Sequence, residues 1–262
     1  MRHSELNYGR QMGCEMEMTV PLVGRGSGHD VQETLASVLS ANGLRAIARG
    51  YSTDLLPPNV DLAVEHDASI GGENRYRGIS WFPIEIKTRV LGGTTDWEAV
   101  VPRMLDICRY MGARVNSSCG HHVHVGIPEV NHKLSTIRSL VNLIHRFELI
   151  IYGVVAPSRR QNGYATPLSS QSRMLHGCHA LSTYRRRLAQ FTRRNGLNLS
   201  HVLDPEPRVE FRYHHGTLDP EKCRYWMRIL NRLVEHATTD PFPFVVPVSL
   251  REPGCGCSPA EP

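Results

Sequence analysis

Four short stretches of the chain carry chemically active side chains at every second residue. In Met12-Gly13-Cys14-Glu15-Met16-Glu17-Met18-Thr19-Val20 the alternation is clean. Side chains two apart share a face of a strand, so Met12, Cys14, Met16, Met18 and Val20 line one side and Glu15, Glu17 and Thr19 the other. Pro83-Ile84-Glu85-Ile86-Lys87 sets Glu85 and Lys87 against Ile84 and Ile86. Cys119-Gly120-His121-His122-Val123-His124-Val125-Gly126 sets His122 and His124 against His121, Val123 and Val125. Arg208-Val209-Glu210-Phe211-Arg212-Tyr213 sets Arg208, Glu210 and Arg212 against Val209, Phe211 and Tyr213. Neighbouring carboxylates repel unless a cation or water relieves them, and one such strand alone reads as a solvated acidic face. Four strands with the same division, in one curved sheet, bring carboxylates, imidazoles and guanidiniums together on its concave side.

A carboxylate-rich donor set with a single imidazole is hard, and suits Mg²⁺ or Mn²⁺ better than Zn²⁺. His122 and His124 keep a zinc reading open, because H-x-H on a strand also forms part of zinc sites. The arginines favour the harder ion. Arg208 and Arg212 beside Glu210 make sense where phosphate oxygens bridge metal and guanidinium.

Those strands must be positioned by the rest of the chain, which reads as helices between separated strands. Asp30 with Glu33 predicts a capping box for a helix that Gly43 stops. A second helix is expected from near Asp96 to Gly112, with Pro102 early in it. The longest is expected over Leu134 to Tyr152, on a stripe of Ile137, Leu140, Val141, Ile144, Phe147 and Ile151. A fourth spans Ser170 to Phe191, and the last opens at Asp219-Pro220 and continues through Trp226 and Leu233. The pattern predicts an α+β fold, a largely antiparallel sheet with helices on one face. Residues 1–237 form one domain. From Thr238 onward Pro241, Pro243, Pro247, Pro253, Pro259 and Pro262 predict an extended arm and tail over 238–262.

Composition excludes several classes. The 262 residues are 40% hydrophobic and 21% charged, which is ordinary for a globular chain and unlike a disordered or collagen-like one. The longest apolar candidate, Leu140 to Ala156, is interrupted by His145, Arg146 and Glu148, so no membrane span is expected. No signal peptide is read at the N-terminus. Seven scattered cysteines favour a reduced, cytoplasmic setting. The net charge is +5, but Lys87, Lys133 and Lys222 are the only lysines, so the arginine-rich balance says as much about codon use as about nucleic acid. No Gly-Lys-Ser/Thr phosphate loop occurs, so a bound nucleotide must be held by arginines and metal.

The ordered motifs Gly13-Cys14-Glu15-Met16-Glu17, Asp67-Ala68-Ser69-Ile70, Ile84-Glu85-Ile86, Gly120-His121-His122-Val123-His124-Val125 and Arg208-Val209-Glu210-Phe211-Arg212 span roughly residues 10 to 236. In this order the chain resembles the amidoligase family of the glutamine-synthetase-like carboxylate–amine ligases. The resemblance implies a curved antiparallel sheet whose concave face holds divalent ions and ATP. It implies Glu17 and Glu85 as ligands of one metal, and Glu15, His122 and Glu210 as ligands of another nearer the phosphates. Arg212 resembles the arginine that steadies the transferred phosphoryl group, with Arg208 and His124 beside the nucleotide. Asp67 matches an acidic residue for metal or amine, and the segment Ser158 to Tyr164 implies Arg160 and Tyr164 at the substrate. One departure is Glu85-Ile86-Lys87-Thr88, where the family usually reads Glu-x-x-Ser-Pro: Lys87 adds a charge.

The activity so implied is an ATP-dependent acid–amine ligation through an acyl phosphate, joining a small-molecule or peptide carboxylate to an amine. Two readings of other classes stay open: a metal-dependent hydrolase, and a non-catalytic basic protein that binds nucleic acid. A homo-oligomer is also left open. Gly24-Arg25-Gly26-Ser27-Gly28 reads as a loop, because a dinucleotide fingerprint needs G-x-G-x-x-G. Arg185-Arg186-Arg187 and Arg193-Arg194 read as a solvated helix face, with contact to nucleotide or acidic substrate as the sharper alternative. Cys119 reads as a core residue, and Cys255 and Cys257 as part of the tail.

Overall fold

The Met-rich alternation forms one long strand at the middle of a sheet. A computed structural model describes residues 9–23, 26–71, 75–76, 79–160, 163–168, 174–175 and 178–239. In chain order the elements are β1 (Gln11–Val23), α1 (Gly28–Ala41), β2 (Ala46–Ala48), β3 (Leu62–His66), β4 (Arg75–Tyr76), β5 (Ile79–Thr88), β6 (Leu91–Gly92), α2 (Gly93–Tyr110), β7 (Gly120–Gly126), α3 (Ser135–Val154), α4 (Pro157–Arg160), α5 (Leu181–Leu188), β8 (Leu197–Asn198), β9 (Arg208–His215) and α6 (Pro220–Thr239). The sheet runs β2-β3-β5-β1-β7-β9-β8, with β4 beside β5 and β6 beside β1. Only β2 and β3 pair in parallel among these described strands. The fold is α+β, as expected.

The four chemistry-bearing strands are consecutive neighbours, β5-β1-β7-β9. Their apolar faces form the core. Met12, Met16, Met18, Ile84, Ile86, Val123, Val209 and Phe211 are buried against Leu35 and Leu39 of α1, Trp97 and Met104 of α2, Leu140 and Ile144 of α3, and Met227 and Leu230 of α6. With helices on that side, the polar face of the sheet is left to line a cavity. Cys119 is fully buried, as expected of a core cysteine. Tyr213 uses its hydroxyl within the core, donating to Glu148 Oε1 at 2.7 Å. Glu148 also accepts from the Leu168 backbone N–H at 2.9 Å, which explains how a carboxylate sits buried on α3.

Several helix details differ from expectation. Ser27, not Asp30, is the N-cap of α1, and Asp30 closes the box as the third helical residue. Its shorter side chain reaches back to Ser27 N at 2.6 Å, so Glu33 is not needed. Gly43, at φ 79°, follows the helix end in the left-handed region that glycine adopts without strain. Of the helix expected over Ser170 to Phe191, α5 covers Leu181–Leu188, while 169–173 and 176–177 lie outside the described residues. Phe147, placed on the buried stripe of α3, is 36% exposed. Helix α6 continues through Thr239, past the expected domain end at 237. The proline-rich arm beyond it, with Cys255 and Cys257, lies outside the described residues, as do Gly24 and Arg25. Among the described residues no helix is long and apolar enough to cross a membrane.

Candidate active site

Cross-strand partners share a face, so the sheet register alone assembles the site. Glu17 stands opposite Glu85, and Glu15 opposite Lys87, between β1 and β5. On the other side of β1, Glu15 stands opposite His122 and Gly13 opposite His124. His124 in turn faces Glu210, which also faces Asn198 of β8. An irregularity in the β7–β9 ladder between His121 and Val123 falls at His122.

The side chains meet as the register requires. His122 Nδ1 lies 3.2 Å from Glu15 Oε2, and His124 Nε2 lies 3.3 Å from Glu15 Oε1. His122 Nε2 is 3.5 Å from Glu17 Oε1, and its Nδ1 is 3.6 Å from Glu210 Oε1. Glu17 accepts the Gly120 backbone N–H at 2.6 Å. Asn198 donates to Glu210 Oε2 at 2.6 Å, and Arg212 pairs with Glu210 Oε1 while its Nε donates to the Tyr164 carbonyl at 3.2 Å. Together these contacts fix Glu210 through both oxygens.

Three groups bring ligand atoms within 4.8 Å of one another: Glu15–His124–Glu210, Glu15–Glu85–His122 and Glu17–Asp67–Glu85. The resemblance grouped Glu15, His122 and Glu210; His122 Nδ1 lies near both carboxylates, and the structure also brings His124 to Glu15 and Glu210 and His122 to Glu15 and Glu85. Asp67 joins the carboxylate end, while its Oδ1 also accepts the Ser69 N–H at 2.7 Å. The donors fit a hard divalent ion, being mostly carboxylate oxygen. His124 Nδ1 is buried without a hydrogen-bond partner, and His122 Nε2 has only the 3.5 Å approach of Glu17 Oε1.

Charge is balanced unevenly. Burial works against ionised Glu15, yet His122 and His124 hold its carboxyl well below the usual range. Burial likewise opposes Glu210, and His124, Arg212 and His122 hold it down. His124 shows the converse: burial disfavours its charged form, but Glu15 raises its affinity for a proton. At the other end, burial and then Glu15 push Glu85 up to about 9, with Lys87 pulling the other way.

These residues line a cavity of about 1240 Å³ that also admits Arg208, Arg193, Arg194 and the Tyr164 side chain. Arg193 and Arg194 are thus separated from Arg185, Arg186 and Arg187, which lie on α5 and do not line it. Arg160 is not brought to the site. It is exposed at the end of α4, donating to the Gly153 and Val155 carbonyls, while its neighbour Arg159 turns inward and is 1% exposed. Helical geometry points adjacent residues about 100° apart, so one of the pair had to face away.

Four contributors escaped the sequence reading. Glu65 on β3 is fully buried, with Arg49 Nε at 2.7 Å and Lys87 Nζ at 2.9 Å. A lone carboxylate inside the apolar run Leu62-Ala63-Val64-Glu65 was the signal, since a buried charge requires a partner. Asn198 sits on a two-residue strand too short to show alternation. Arg159 Nη2 donates to the Ser118 carbonyl at 3.4 Å beneath the His122 strand. Gly120 leaves the space that Arg159 and His122 fill, because a Cβ there would lie 2.6 Å from Arg159 Nη2 and from His122 Nε2.

Comparison with known proteins returns no match among curated sequences. A family model described as "Putative amidoligase enzyme" matches residues 8–234, a span that contains every strand of the site. The chain therefore belongs to the amidoligase family, an enzyme family whose class is that of the ligases.

Proposed function

We propose that the protein is an ATP-dependent carboxylate–amine ligase that works through an acyl phosphate. The observation that carries this reading is the joining, in one cavity, of the Glu15–His124–Glu210 donor group to Arg212 and Arg208. A cavity of about 1240 Å³ exceeds the upper end of ordinary small-ligand pockets, roughly 1,000 Å³, and has room for a nucleotide with a second substrate.

A carboxylate resists attack because its leaving group would be oxide. In the proposed reaction one of its oxygens attacks the γ-phosphorus of ATP, the bond to ADP breaks, and an acyl phosphate forms. The amine nitrogen then attacks the acyl carbon, phosphate leaves with that oxygen, and the nitrogen gives up a proton. Divalent ions, Mg²⁺ or Mn²⁺, would supply charge against the phosphate oxygens, held by Glu15, His124 and Glu210 with Glu17, Glu85 and His122 alongside. Arg212 presents a planar fork to the phosphoryl group in flight, its direction fixed by Glu210 and the Tyr164 carbonyl. Arg208 and Arg194 add positive charge along the same wall. Asp67, next to Glu17 and Glu85, is placed to hold the amine as ammonium and to take its proton. The substrates are a small-molecule or peptide carboxylate and an amine, and the setting is cytoplasmic.

Calorimetry tests the reading first: ATP should bind only when Mg²⁺ or Mn²⁺ is present. Incubation with ATP, Mg²⁺ and host extract should then yield ADP together with a product whose mass is the sum of acid and amine less water. Stoichiometric zinc by elemental analysis, without ATP binding, would instead establish the hydrolase. Salt-sensitive DNA or RNA binding that survives Glu210→Ala, again without ATP binding, would establish the nucleic-acid reading.

A further inference from the structure

Lys87 puts an ammonium into the acidic end of the cavity, and its surroundings form a cage for that ion. Nζ lies 2.9 Å from Glu65 Oε2 and 3.0 Å from Glu85 Oε2. It donates to the Ser52 carbonyl at 3.2 Å and sits 4.3 Å from the centroid of the Tyr51 ring. The side chain is 12% exposed, and the Glu65 side chain is wholly buried. Register explains the meeting. Glu65 is opposite Glu85, and Lys87, two residues on, shares that face and reaches Glu65 diagonally and Glu85 along its own strand. Two carboxylates, a carbonyl and an aromatic face together satisfy an ammonium without help from water.

The position of this cage relative to the three donor groups is uneven. Glu85 belongs to Glu15–Glu85–His122 and to Glu17–Asp67–Glu85 and is ion-paired with Lys87, whereas in Glu15–His124–Glu210 Glu15 stands opposite Lys87 across the strands, while the ion pairs of Lys87 run to Glu65 and Glu85. A divalent ion bound through Glu85 would share a carboxylate with an ammonium it repels. An ion at Glu15–His124–Glu210 would not. We propose that Lys87 is a resident cation that takes the place of one divalent ion, so that Glu15–His124–Glu210 is the tight metal position and the Glu85 positions are weak. This inference rests on reading the site as a divalent-metal centre. It differs from a purely structural role, in which Lys87 would only pin Glu65 and the Tyr51–Ser52 segment.

The test counts Mn²⁺ by electron paramagnetic resonance of the free ion and by calorimetry, on the whole protein without nucleotide. Wild type should bind one Mn²⁺ tightly and any second at least tenfold more weakly. Lys87→Met, which keeps length and removes charge, should tighten the second site at least tenfold. Lys87→Arg should keep the wild-type pattern. Should Lys87→Met fail to fold, the pair Lys87→Met with Glu65→Gln removes one charge of each sign and is expected to show the same gain. Two sites of equal affinity in wild type, unchanged by Lys87→Met, would overturn the inference and leave the metal reading standing. No Mn²⁺ bound by any of these proteins would overturn both.

Discussion

Glu210 and Arg212 form an ion pair two positions apart on β9, while Phe211 between them points the other way and is fully buried. One strand thus divides chemistry from packing at successive residues, and two substitutions separate them.

Arg212→Lys keeps the positive charge and loses the fork that reaches Glu210 and the Tyr164 carbonyl together. Turnover of ATP should fall by about 10²–10³, with a much smaller change in ATP affinity. Steady-state kinetics beside calorimetric ATP binding checks this. The melting temperature should barely move.

Phe211→Ala should do the opposite. Removing a buried ring next to Val123 and Leu197 costs about 3–5 kcal/mol, measured by chemical denaturation. Loss of folding in Arg212→Lys combined with an intact Phe211→Ala would mean that the faces of β9 are reversed.

Gly120→Ala tests the support beneath the metal ligands. The added methyl meets Arg159 Nη2 and the His122 ring at 2.6 Å, and both side chains are buried, so a shift of either disturbs the packing beneath the ligands. Mn²⁺ affinity should drop about 10–100-fold, as when the neighbours that orient a ligand are lost. Circular dichroism should stay that of the wild type.

Glu85 gives a pH signature. Its folded value of about 9 lies above the ordinary 4.5, so between them the metal-free folded protein keeps a proton that the unfolded chain releases. Stability from this group is full below 4.5 and is lost as pH rises through about 9. In EDTA, Glu85→Gln should therefore gain stability over wild type at pH 8.5 and not at pH 4.5. Mn²⁺ affinity at the weaker positions that contain Glu85 should climb with pH and level off above about 9, because binding there expels the proton.

Much of this was legible in the sequence because a strand with one buried face must alternate. Glu15, Glu17, Glu85, His122, His124, Glu210 and Arg212 each stand two residues from another charged or imidazole side chain, and burial of the intervening residues fixes their side. The pairing of β3 with β5 was not legible. Leu62-Ala63-Val64 is buried on both faces, so its run shows no period, and Glu65 is revealed only by its partners. The choice of Arg159 over Arg160 depends on how one short turn meets β7, which local pattern does not carry.

Strand β1 takes its central place from partners made much later, β5 ending at Thr88 and β7 ending at Gly126. During synthesis its methionine face and its two carboxylates emerge with nothing to pair against. At about 5–20 residues per second, the roughly 100 residues that separate β1 from the end of β7 take about 5–20 s to appear. For that interval the longest described strand of the sheet is an open edge, and its pairings are of the non-local kind that close slowly. The charges on its other face then serve the newborn chain before they serve any substrate: Glu15 and Glu17, side by side, discourage two such strands from pairing with each other.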